Sequence, residues 1–575
     1  MNMNPNNAAF SRRSLLLSSA AAYGSLFLPQ AAAQTGEADQ TLHVCPKSRP
    51  PARKLAVMRL EDLTSNAWDM KLTLCCLQGI VNRKEPRLYL VQDRYDELWL
   101  DWLRERGDID SIERLDVGQV FERFLPEVKV GFITDPGIPA SVNVATMLAS
   151  LHDGLVITPQ TAAQYDIPMG TILDGWNAGK DLQTMNWKKD VEAYRWAFEQ
   201  MGDKLSRKVI AFLDPQTTAL RDYFVEFQIP ILWISGPHDA HKNPQASFEE
   251  EKAFAREIFM KWPANIPCMG WPGSGDEGAG GIGEWEGVKL ESQCGKFEVC
   301  SGYDGFSPAV SNLSVHSGTT AKLHQPVPPA PRLQRDKVYL AFARSDGDGL
   351  NFLRHYYRKL FDDPQHGDVP LGWQVGPTAA DAMPDILDYY YKHARRGDCF
   401  INALSGVGYI HEAVYAENYP PEQRDQILKD FQRISGDYRA RLDVTVMATF
   451  AEMPPERMAI IAGIPGIKAV FANYGRTHAT TPENVISESD GKPIFRAVNA
   501  GPGELTFTPY GRDNAAAFMI GQIRRWTPAK RPAFMHVFLA NWLSHMEMLD
   551  AIFKGLGPEY IAVRPDQLVE LYKSA

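Results

Sequence analysis

The chain has 575 residues, with 60 Lys and Arg against 70 Asp and Glu, for a formal charge of -10. Apolar residues at 44% and charged residues at 23% describe an ordinary globular chain of several domains, and exclude a disordered chain, a fibre and a polytopic membrane protein. A net acidic chain also lacks the basic surface that nucleic-acid binding needs.

Residues 1–33 have the layout of a bacterial twin-arginine export signal. Arg12-Arg13 precede Leu15-Leu16-Leu17, a mild apolar run continues through Tyr23, Leu26, Phe27 and Leu28, and Ala31-Ala32-Ala33 make a small-residue cleavage pattern. An ordinary secretory signal differs in lacking the arginine pair. The expectation is a periplasmic or secreted protein that engages the twin-arginine export machinery. No later stretch reaches about 18 uninterrupted apolar residues, so no membrane span is expected. The seven cysteines form no CxxC pair, which argues against a zinc ribbon or a thioredoxin-type site. Cys294 and Cys300 would close a short loop if bridged.

A polar linker is expected over residues 34–53, followed by α/β modules over 54–235. Strand patterns at Lys54–Met58, Arg87–Val91, Val128–Thr134, Gly154–Thr158, Val209–Leu213 and Ile231–Ile234 alternate with helical patterns at 64–80, 141–151 and 218–227. Such alternation implies βαβ units and parallel sheet. None carries a phosphate-binding glycine motif, so no nucleotide site is expected. Residues 236–332 read as a loop-rich middle region, with glycines from Gly270 to Gly283 and a Pro-rich linker at 324–331.

From residue 333 to 575 the pattern becomes regular. Eight strand candidates (338–344, 371–375, 399–404, 444–449, 469–472, 493–498, 533–539 and 560–563) are spaced by helical stretches at 381–394, 421–435, 515–526 and 546–555. This is the size and rhythm of a C-terminal (β/α) barrel of seven or eight strands, with an open doubly wound sheet as the alternative.

Ser405-Gly406-Val407-Gly408-Tyr409 after the third strand, and Ser345-Asp346-Gly347-Asp348 after the first, resemble the GxGYxYP family, classed as glycoside hydrolases from their architecture. Leu77-Gln78-Gly79-Ile80-Val81-Asn82-Arg83, Ser141-Val142-Asn143-Val144-Ala145, Leu220-Arg221-Asp222-Tyr223 and Asn312-Leu313-Ser314-Val315-His316 are similar to its N-terminal parts. The resemblance runs from about Lys54 to the C-terminus and implies a carbohydrate substrate. Two departures stand out: His411-Glu412 replace the final Tyr-Pro, and Gly349 stands where an asparagine usually follows the acidic pair.

A β/α barrel carries its active site at the C-terminal strand ends. Glycoside hydrolysis needs one carboxyl to protonate the leaving oxygen and another to act as nucleophile or base. The carboxyl candidates are Asp346 and Asp348, facing the same way two residues apart, with Glu452 opposite and Glu412 as substitute. Ser405, Tyr409, His411, Asn473, His536 and Asn541 are candidates for sugar hydroxyls, and Trp373 and Trp542 for stacking. For His536, a core position is the competing reading. No cofactor and no metal is implied: Asp346-Gly347-Asp348-Gly349 fails the EF-hand pattern at Leu350 and Asn351. Two other readings compete. A metal-dependent polysaccharide deacetylase would want a His-xxx-His pair, whereas His536 and His545 are nine apart. A non-catalytic glycan-binding protein would keep the barrel without the chemistry.

Overall fold

The structure is a computed structural model that describes residues 42–63, 67–164, 181–237, 243–273, 280–303, 307–346, 349–450, 455–473, 479–499, 512–541 and 545–575. The proposed export signal, Asp348, Glu452 and Trp542 lie outside them. Among the described residues no helix is long and apolar enough to cross a membrane.

Three small sheets precede a large one. β1 (Lys54–Arg59) lies between β2 (Leu88–Val91) and β3 (Ser111–Arg114), and β4 (Val130–Ile133) pairs with β5 (Gly154–Ile157), all parallel. The third sheet holds β6 (Ile210–Phe212), β7 (Ile231–Leu232), β8 (Pro267–Gly270) and β9 (Phe297–Cys300), parallel and in the order β7-β6-β8-β9. A boundary at residue 235 therefore cuts through a sheet. The middle region is not mainly loop, because helices Phe248–Lys261 and Glu284–Gln293 connect its strands.

The C-terminal strands are β10 (Val338–Arg344), β11 (Leu371–Val375), β12 (Asp398–Asn402), β13 (Val446–Thr449), β14 (Ala469–Ala472), β15 (Ile486–Ser489), β16 (Lys492–Arg496), β17 (Ala533–Leu539) and β18 (Tyr560–Ala562). Their hydrogen-bonded order is β15-β16-β14-β13-β12-β11-β10-β17, with β18 also on β10 and only β15–β16 antiparallel. β10 to β14 are buried along their length, as near-continuous apolar strands covered on both faces must be. The sheet is a curled half-barrel. Gln374 on β11 and Asn473 at the end of β14 exchange amide hydrogen bonds of 3.1 and 3.3 Å although two strands separate them in the order. Between β16 and β17 the pairing is reduced to one isolated bridge, Ala497 with His536.

The N-terminal motifs that carry the family resemblance meet in one buried polar network. Gln78 donates to the Asn312 side chain at 2.7 Å, and Asn312 both accepts from Leu90 N and donates to Leu90 O at 2.9 Å. Asn82 donates to Ser314 Oγ at 2.9 Å, and Ser314 N and Oγ donate to Asp222 Oδ2 at 2.9 and 2.7 Å. Arg221 donates to Asn143 Oδ1 at 3.1 Å. Buried polar groups need such partners, and each bond here joins segments distant in the chain. Gly79 sits where a Cβ would lie 2.4 Å from Asp222 O, so helix Ala67–Asn82 packs directly on the neighbouring backbone.

Two expected linkers are pinned down. Cys45 N donates to Asp381 Oδ2 at 3.1 Å, and His43 Nδ1 lies 2.6 Å from Asp381 Oδ1, which Arg441 also binds at 2.6 Å. In the Pro-rich stretch the Gln325 side chain accepts from Phe400 N at 2.9 Å and donates to Phe400 O at 3.1 Å, occupying the edge of β12 as a strand would. All seven cysteines are free and buried, Cys294 and Cys300 included.

Candidate active site

The C-terminal ends of β10, β11 and β12 open on a small cavity of about 50 Å³ that is partly open to solvent. Its opposite wall comes from the third sheet: Trp271 after β8, Glu284 at the start of helix Glu284–Gln293, and residues 298–300 of β9.

The loop after β12 forms the seam. Tyr409 makes an antiparallel bridge with Glu298, with N···O distances of 2.9 and 3.0 Å. The glycines of the motif make this approach feasible. A Cβ on Gly408 would lie 2.5 Å from the Phe297 ring and 2.8 Å from Glu298 O. Gly406 has φ +130°, and a Cβ there would meet Ser435 Oγ at 2.6 Å. Ser405 takes a left-handed φ of 68°, and its hydroxyl donates to Glu412 Oε1 at 2.5 Å.

Asp346 follows β10 and lines the cavity with 8% of its surface exposed. Burial, with the charge of Glu284 adding to it, pushes its carboxyl up to about 7. Glu284 accepts from the Tyr409 hydroxyl at 3.3 Å. It stands in the first helical turn, where the backbone N–H groups favour negative charge. The Tyr409 hydroxyl is raised well above its ordinary range, by burial first and then by Glu284 and Glu412.

Glu412 lies beneath the loop, sealed from solvent and absent from the cavity wall. It accepts from Ser405 Oγ and Thr449 Oγ1, both at 2.5 Å, and so ties the loop to β13; burial raises its pKa. His411 is fixed by its backbone N–H to Ser292 Oγ at 2.9 Å, and its ring lies 4.0 Å from that of Trp285. Burial, helped by the charge of Lys289, lowers His411 to about 4, so it is neutral near pH 7. Trp285 is 52% exposed, with Phe450 at 5.9 Å beside it and Tyr409 stacked on Phe450 at 6.2 Å. This aromatic shelf is where a sugar face can stack, and sequence reasoning missed its Trp285; the Trp-flanked acidic run Glu284-Trp285-Glu286 was the available signal.

Four residues expected at the mouth sit elsewhere. Trp373 is fully buried, donates to Asp398 Oδ1 at 2.9 Å and packs edge-on against Tyr357, Phe361 and His366, because β11 turns it outward into the layer beneath the helices. His536 is a core ring 4.4 Å from Phe471, and burial lowers it to about 3. Asn541 is buried and donates to Ser345 O at 2.6 Å, holding the end of β17 to the loop that presents Asp346. Asn473 is engaged with Gln374 inside the curl.

Comparison with known proteins bears on the family and the fold. Four family models match consecutive segments: the "GxGYxYP_N 1st domain" over residues 54–124, the "second domain" over 130–205, the "third domain" over 207–318, and the "GxGYxYP putative glycoside hydrolase C-terminal domain" over 336–573. No curated protein matches the chain. Among solved structures, the crystal structure of a "putative hydrolase" from Bacteroides thetaiotaomicron VPI-5482 is similar in fold, with 19% identity, a TM-score of 0.71, and coverage of 92% of this chain and 96% of that one. The chain belongs to the GxGYxYP family.

Proposed function

We propose that the protein is an exported glycoside hydrolase whose active site is the cavity between the third sheet and the C-terminal sheet. The observation that carries this reading is Asp346, a carboxyl held protonated up to about neutral pH at a strand end facing a cavity that Glu284 also lines. A protonated carboxyl beside an ionised one is the pairing glycosidic cleavage uses. Asp346 donates its proton to the leaving oxygen. Glu284, hydrogen-bonded by Tyr409, is the partner carboxylate that acts as base or nucleophile. Asp348, two residues from Asp346, and Glu452, after the fourth strand, are further carboxyl candidates for the same mouth. The shelf of Trp285, His411 and Phe450 takes the face of a sugar ring. We read the curled sheet as a seven-stranded barrel closed at the Ala497–His536 bridge, which would put these groups at its mouth. The paired arginines at 12 and 13 support twin-arginine export to the periplasm.

The test is mass spectrometry of products after incubation with a panel of bacterial and plant glycans. Shorter oligosaccharides that have gained the mass of water support the reading. Loss of acetyl groups without chain shortening moves the assignment to a deacetylase. Retention of glycans with no product moves it to a binding protein.

A further inference from the structure

A second cluster of reactive groups lies inside the third sheet, where the glycosidic reading makes no use of it. β8 and β9 run parallel with Cys268 in register with Glu298, so both side chains leave the same face of the sheet. Helix Glu284–Gln293 brings Glu291 onto that face. The Cys268 Sγ and one carboxylate oxygen from each glutamate all lie within 4.8 Å of one another, and all three residues are at most 1% exposed. Among the described residues no group outside the cluster donates to the four carboxylate oxygens of Glu291 and Glu298, which meet only one another and the Cys268 thiol.

Buried acids in such a state need a partner, because an unpaired buried carboxyl costs several kcal/mol. A proton shared between the two glutamates, with the Cys268 thiol donating to Glu291, would still leave an oxygen without a partner. A dication engages both groups and the sulfur together. The charge count supports this. A thiolate and two carboxylates around a dication leave one negative charge, and the buried Lys296, whose charge acts on Cys268, balances it. Lys296 is held in place by donating to Cys294 O at 2.7 Å.

We propose that Cys268, Glu291 and Glu298 bind a divalent first-row transition-metal ion, with Zn²⁺ the best match. The thiolate selects against Ca²⁺ and Mg²⁺, which take oxygen ligands, and three protein ligands leave a fourth tetrahedral position for water. Ligands of such an ion stand about 3.5 Å apart, which small side-chain rotations reach from the observed spread. Glu298 also borders the cavity, so an ion has a route inward from that side. On binding, the thiol proton and any carboxyl proton leave to solvent, and the ion takes their place. The ion then ties β8, β9 and the helix that presents Glu284 and Trp285.

The experiment uses the whole protein and reads metal rather than turnover, so its failure leaves the glycosidic reading intact. Protein purified without chelator is assayed for metal content, then stripped and titrated with Zn²⁺ and Co²⁺. The expected result is about one equivalent of tightly held metal per chain. The Co²⁺ form should show a near-ultraviolet thiolate-to-cobalt charge-transfer band. Cys268→Ser should lose that band, and Glu291→Gln and Glu298→Gln should each weaken uptake at least about tenfold. Folded wild-type protein that takes up neither ion would overturn the proposal, as would cobalt binding with no thiolate band or uptake unchanged in Cys268→Ser.

Discussion

Asp346 shows how one residue's surroundings set its chemistry. Its carboxyl is raised from 3.8 to about 7 because it is buried near Glu284. Across this interval the folded protein keeps a proton that the unfolded chain releases, so this group's contribution to stability is greatest at low pH and falls as pH rises toward 7. Asp346→Asn removes the proton exchange. We expect the variant to show a shallower loss of stability between pH 4 and 7, by on the order of 1 kcal/mol per pH unit, in denaturant melts; parallel slopes would contradict the assignment. His411 replaces the family tyrosine and does different work: neutral near pH 7, it backs the exposed face of Trp285. Trp285→Ala should weaken glycan binding by about 1 kcal/mol, roughly fivefold in Kd, with the melting temperature nearly unchanged because the ring is half in solvent. Equal affinity in titration calorimetry would remove the shelf from the site. Asp346 was legible because it follows an apolar strand; Glu284 was not, since it opens a helix directly after a stretch where glycines dominate.

At the scale of elements, the GxGY segment is a seam. Gly408 is a contact glycine with no room for a methyl group between the loop and β9. Gly408→Ala should therefore destabilise the protein by about 1–3 kcal/mol in a thermal melt, the cost of overpacking a tight contact. A melt identical to wild type would show that the loop shifts freely. Gly349, in place of the family asparagine, has a φ of +66°, and a Cβ there would lie 2.9 Å from Cys300 O, so the glycine lets this loop approach β9 closely. The C-terminal strands β10, β11, β14 and β17 match the sequence reading end for end, because each is a buried apolar run with breakers beside it. β8 and β9 escaped it because both are four residues long, Pro267 opens one and Glu298 breaks the apolar run of the other. β15 is a partly exposed edge strand. Its signal was Asp490-Gly491, both at positive φ, the usual chemistry of a tight hairpin.

For the whole molecule, the N-terminal modules act as a frame. The family motifs at 77–83, 141–145, 220–223 and 312–316 are bonded to one another in the interior, which accounts for their residue types without catalysis. His316 carries the frame onward, with Nδ1 2.8 Å from Asp385 Oδ2 in the C-terminal part. The alternation of strand and helix made the modules legible, but not their docking, since a hydrogen bond such as Gln78 to Asn312 spans 234 residues. The same docking builds the proposed active site from two sides: Asp346 follows β10 and Glu284 opens a helix of the third sheet's layer. The central claim is that both are needed at one cavity. Its most direct test is turnover of a responding glycan by Asp346→Asn and Glu284→Gln, each checked for an intact fold. The account predicts that both folded variants lose activity by at least about a hundredfold while still binding glycan. Full turnover in either folded variant would contradict it.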